Sequence, residues 1–132
     1  MNMAKDLRTL TFEGVATDET VIASHLFDRA IRIKKMVCQA AVTGTAPIGG
    51  GNCTFGKHDS IAVHNRPGDF WTALVNQLYV VEGGALTTSE AVIDLGDDYV
   101  DVEEDDYLHL VIHSNVALAI VYGRVVIYYY DK

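Results

Sequence analysis

With 132 residues, 49% of them hydrophobic and 21% charged, the chain is sized for one domain and has enough apolar side chains to build a core. Eighteen acidic residues against ten basic ones give a formal net charge of -8, which disfavours broad contact with nucleic-acid phosphates. No apolar run reaches the roughly 20 residues of a membrane-spanning helix, and MNMAKDLR lacks the apolar stretch of a secretory leader, so neither a transmembrane segment nor export is expected.

Residues 1–6 read as a flexible N-terminal arm. Leu7 to Thr17 then reads as a strand, with Leu10, Phe12 and Gly14 on one face and Thr9, Thr11 and Glu13 on the other. Thr17-Asp18-Glu19-Thr20 turns the chain into a second strand or short irregular segment, Val21 to Phe27. Ala30 to Thr43 is a longer strand whose pattern changes phase. Ile31 and Ile33 are apolar at odd positions, whereas Met36, Cys38, Ala40 and Val42 are apolar at even ones. One core can receive both sets only if an extra residue is inserted, so the sequence predicts a bulge near Lys34-Lys35.

Gly44 to Asn52, GTAPIGGGN, packs four glycines and a proline into nine residues and reads as a loop, with Cys53 in its Gly-rich surroundings. A short strand is expected at Ser60 to His64, followed by a turn at Arg66-Pro67-Gly68-Asp69. Phe70, Leu74 and Leu78 have helical spacing behind the N-cap candidate Asp69, so Phe70 to Val81 reads as a short helix or irregular crossover leading into a strand. Glu82-Gly83-Gly84 closes it. From Ala91 to Tyr130, apolar and β-branched residues recur in AVIDL, YVDV, YLHLVIH and VALAIVYGRVVIYYY, separated by acidic and Ser-Asn turns. Val116 to Tyr130, interrupted by Gly123-Arg124, is a strand pair or one long kinked strand.

The expectation is an all-β chain: an antiparallel β-sandwich, a single jelly roll of about eight strands. The long crossovers at Gly44 to Asn52 and Asp69 to Leu86 favour that topology over an up-and-down barrel. An immunoglobulin-like sandwich is the runner-up, but Trp71 follows both cysteines. No linker divides the chain, so residues 1–132 form one domain. Cys38 and Cys53 are expected as free thiols in a reducing compartment. Charge is unevenly spread. Residues 1–66 hold eight Lys or Arg and six Asp or Glu, and residues 67–132 hold two and twelve, or +2 and -10. Such asymmetry can supply opposite patches for a subunit contact, or merely a solvated acidic rim.

Eight carboxylates crowd residues 94–106, and Asp97, Asp98 and Asp101 are the calcium candidates among them, although no EF-hand spacing is present. Solvated turns that keep strand edges from pairing with other chains explain the cluster better. His109 and His113 share one face of a strand, yet the H-x-H and glutamate pattern of a cupin metal site is missing. Polar positions on a half-exposed face account for the pair. No G-x-S-x-G, H-E-x-x-H or P-loop occurs, so neither an enzyme nor a cofactor is expected. Trp71, Tyr128, Tyr129 and Tyr130 could stack on sugar rings, but amphipathic aromatics on a terminal strand suit a subunit interface better.

The short all-β chain, the run Glu103-Glu104-Asp105-Asp106-Tyr107-Leu108-His109-Leu110 and the aromatic strand VVIYYYDK resemble single jelly-roll capsid or virion surface proteins of tailless icosahedral viruses, in particular small shell proteins of bacterial or archaeal viruses. The resemblance implies a structural virion protein without enzymatic activity. It would self-assemble in the host cytoplasm with copies of itself and with other capsid proteins. Only Lys5 and Arg8 are basic in the first ten residues, so the basic arm of genome-packaging coat proteins is missing. That suits a shell lying over a membrane or an outer decorating protein. The alternative is a carbohydrate- or receptor-binding jelly roll with a glycan as partner; a metal-bearing cupin-type enzyme is the third reading.

Overall fold

A computed structural model describes residues 6–17, 19–44, 50–58, 72–81, 88–114 and 119–132. Nine strands run through them: β1 (Arg8–Thr17), β2 (Thr20–Leu26), β3 (Ile31–Gly44), β4 (Gly50–His58), β5 (Thr72–Val81), β6 (Thr88–Asp94), β7 (Val100–Val102), β8 (Tyr107–Ser114) and β9 (Ala119–Asp131). All pairings are antiparallel. The first sheet has the order β1-β9-β3-β6, with β7 also on β3; the second has the order β2-β8-β4-β5. β6 pairs with Lys35–Ala41 and β7 with Ile31–Ile33, so the two occupy one edge of β3 in succession while β9 holds the other.

The core lies between the sheets. Phe12, Ile31, Ile33, Met36, Cys38, Val121, Val125 and Ile127 from the first sheet meet Cys53, Phe55, Leu108, Leu110 and Ile112 from the second. Burying a side chain of this size stabilises by about 1.5–3 kcal/mol. The phase change in β3 is resolved as the sequence predicts. Its register against β9 shifts between Ile33 and Lys35, and Ile31, Ile33, Met36, Cys38, Ala40 and Val42 are all buried. Without the bulge, one of the two sets would face solvent.

Two sequence expectations are corrected. Gly50 to Asn52 is not loop but the start of β4, and Cys53 is a buried strand residue. Glycine stands at position 51 because a side chain there would run into the backbone carbonyl of His113 on β8, an approach only glycine permits. From Thr72 onward the stretch with helical spacing is extended, as β5 beside β4. Of the two alternatives for the aromatic segment, the single strand holds: β9 runs through Gly123-Arg124 and lies inside its sheet, hydrogen-bonded to β1 and β3. The expected strand at Ser60 to His64 and residues 1–5 of the arm lie outside the described residues.

Candidate interaction surface

Register places the outward side chains of the first sheet in rows across β1, β9, β3 and β6. One row is Val15, Tyr122, Ala41 and Thr88; the next is Glu13, Arg124, Gln39 and Glu90; the third is Thr11, Val126, Val37 and Val92. Two apolar rows thus flank a charged one. Val15, Tyr122 and Val92 are 46%, 43% and 53% exposed, high values for side chains of their kind. Between the Tyr122–Arg124 wall and the Thr88–Glu90 wall, above Ala41, runs an open groove of about 370 Å³. The Gln39 amide donates to Glu90 Oε2 at 2.8 Å along it.

The interface candidates divide between the two faces of β9. Tyr128 and Tyr130 are outward and half-buried, and Lys35 Nζ lies 5.5 Å from the Tyr128 ring centre. Tyr129 turns inward, packing against the core with its ring 5.5 Å from that of Phe27. It is therefore a partly buried residue at the margin of the core. Trp71 lies outside the described residues. Near Tyr130, a wider groove of about 550 Å³ is lined by Leu7, Arg32, Lys34 and Tyr130.

Part of the charge asymmetry along the sequence is met by pairing between the two halves, at Asp101 and Asp131. Because β9 pairs with β1 and β3, and β7 with β3, some basic residues of the first half meet acidic residues of the second. Arg8 and Arg29 reach Asp131 at 3.6 and 3.3 Å, and Arg32 Nε reaches Asp101 Oδ1 at 3.0 Å. Lys57 Nζ donates to the Asp101 carbonyl at 2.9 Å, and Lys34 Nζ to the carbonyls of Gly96 and Asp98.

Of the calcium candidates, Asp97 and Asp98 are exposed turn residues, while Asp101 is held by Arg32 and by Lys132 Nζ at 3.3 Å. Partial desolvation pushes the Asp101 carboxyl up, but the Lys132 and Arg32 contacts outweigh it and leave the group below the usual carboxylate range. A carboxylate so paired has little left to offer a cation. Among the described residues, no group of three or more His, Cys, Asp or Glu side chains could hold a metal ion.

On the outer face of the second sheet, two hydroxyl–imidazole pairs follow the β2–β8 register. Thr20 Oγ1 and His113 Nδ1 are hydrogen-bonded at 2.9 Å, and Ser24 Oγ and His109 Nδ1 at 2.7 Å. His113 is half-buried as expected, but His109 is fully buried, with the Tyr107 ring stacked 5.7 Å away. Outward-facing Thr54 and Val111 are buried as well, which alternation within a single strand could not reveal. Cys38 and Cys53 are free thiols. Burial pushes both up to about 12, for Cys53 with a smaller contribution from Cys38.

Among the described residues no helix is long and apolar enough to cross a membrane. No protein-family model and no curated protein matches the chain.

Proposed function

We propose that this chain is a structural virion protein, a single jelly roll that works by packing against copies of itself and against other capsid proteins, with no chemistry of its own. Strand pairing supports the jelly-roll reading. With the short β7 set aside, β1 pairs with β9, β2 with β8, β3 with β6 and β4 with β5. That is the succession of one long hairpin ribbon bent at β4–β5. Rolling the ribbon up brings β9 beside β3 and β8 beside β4, the remaining two contacts.

Jelly rolls serve shells, lectins and cupins alike, so the functional reading rests on the surface. The observation that carries it is the pair of apolar rows on the outer face of the first sheet, Val15 and Tyr122 beside Ala41 in one and Val92 in register with Val37 and Val126 in the other, with Val15, Tyr122 and Val92 exposed. Isolated apolar residues on a surface are ordinary, whereas rows of them on one sheet face suit burial against protein. A virion location, after assembly in the host cytoplasm, follows from this reading. Light scattering and negative-stain imaging of the purified chain test it: oligomers or particles are expected, and a monomer at every concentration would overturn it.

A second reading, a carbohydrate- or receptor-binding module, draws on the groove lined by Arg32, Lys34 and Tyr130, where cations sit beside an aromatic ring. Titration with acidic oligosaccharides tests it. Binding lost in Tyr130→Ala would support a glycan site; no binding would remove it.

A further inference from the structure

We infer that the outer face of the first sheet joins two copies of this chain about a two-fold axis that runs along the strands between β9 and β3, each Tyr122 seated over the partner's Ala41. The inference rests on the assembly reading above and names the contact that assembly would use.

The patch carries both halves of a fitted contact. Tyr122, 43% exposed, projects from β9; directly across the register, Ala41 of β3 floors the groove of about 370 Å³. A projection and a hollow of that kind, one strand spacing of roughly 4.8 Å apart in one row, are what a self-complementary two-fold contact requires. Rotation about the stated axis carries each Tyr122 onto the partner's Ala41. The same rotation lays Val126 on the partner's Val37 and Arg124 on the partner's Gln39, since these residues also face each other across β9 and β3.

Other axes serve the face less well. An axis directly over β3 opposes groove to groove and leaves both hollows unfilled, against the dense packing of specific interfaces. An axis across the strands through the charged row sets Arg124 on the partner's Arg124 and Glu90 on the partner's Glu90, placing like charges in contact. Four strands about 4.8 Å apart, over some eight residues of length, span roughly 20 by 27 Å. Two such faces give on the order of 1,000 Å², the lower bound for a specific interface.

The chosen axis has one cost, which supplies its signature. Glu13 on β1 comes to lie over the partner's Glu90, so each rim of the contact carries a like-charge pair. Added salt screens that repulsion, and association should tighten as ionic strength rises, the reverse of a contact held by ion pairs.

Sedimentation velocity on the full chain, across a range of concentrations and salt, tests the inference with Tyr122→Glu, Ala41→Arg and Glu13→Gln. Circular dichroism and urea midpoints serve as folding controls. Folded Tyr122→Glu and Ala41→Arg, one spoiling the projection and the other filling the hollow, should each weaken association at least about tenfold, while Glu13→Gln and added salt should strengthen it. Association unchanged in both of the first two variants would overturn this contact and leave the assembly reading standing. A wild-type chain that remains monomeric throughout would overturn both.

Discussion

Gly14 of β1 lies directly opposite Gly123 of β9, and the two missing side chains leave the space that Ile112 fills from the opposing sheet. A β-carbon at position 123 would stand 2.7 Å from Cys53 Sγ and 2.8 Å from Ile112 Cγ1; at position 14 it would stand 3.0 Å from Ile112 Cδ1. The glycines are there for proximity between sheets, since neither has a left-handed backbone. Gly123→Ala should destabilise the fold by about 1–3 kcal/mol through overpacking, and Gly14→Ala by less. Urea denaturation measures both, and equal stability of Gly123→Ala and wild type would refute the close-contact account.

Thr54 is 2% exposed, and its Oγ1 has no hydrogen-bond partner among the described residues. A buried hydroxyl without a partner is desolvated with nothing in return, so Thr54→Val, which keeps the shape, should stabilise by about 1 kcal/mol. A loss of stability in that variant would mean the hydroxyl is satisfied after all.

The two thiols predict an alkaline limit. Both ordinarily titrate near 9 and are pushed up to about 12 in the fold. Unfolded chains release these protons first, so the stability that depends on keeping them is intact below about pH 9 and is lost as pH rises toward about 12. Cys38→Ala/Cys53→Ala should flatten that decline in urea midpoints measured across the alkaline range. In the native wild type, thiol reagents should react far more slowly than after unfolding.

Asp101 predicts the acidic counterpart. Its carboxyl is held low by Lys132 and Arg32, so its contribution is present above the ordinary carboxylate range and lost as pH falls through the depressed value. Asp101→Asn should be modestly less stable at neutral pH and converge with wild type on acidification. A difference that persists at the lowest pH would assign the effect to something other than the ion pairs.

The legibility of these features in the sequence followed their physics. The β3 bulge was readable because a period-two pattern cannot change phase without an extra residue, and Ile33 and Met36 mark both sides of the change. β4 was hidden because Gly50 and Gly51 signal a loop, when here glycine marks the approach of β8. β5 was hidden because Leu74 and Leu78 lie four apart, a spacing compatible with a helix turn and with one face of a strand. Buried His109 and the pairing of Asp101 and Asp131 with first-half arginines depend on what lies across a sheet. Neither is encoded in local spacing.

The central place of β9 has a consequence for how the molecule is made. During synthesis β1 to β8 leave the ribosome before β9, and until it arrives β1 and β3 expose the backbone groups it will later bind. The nascent polypeptide therefore carries an open slot in one sheet until translation has passed Asp131, a period in which neighbouring nascent chains compete for it and chaperone capture is most useful. The final insertion closes that slot by joining segments more than a hundred positions apart, so completion should be slow and abrupt rather than gradual.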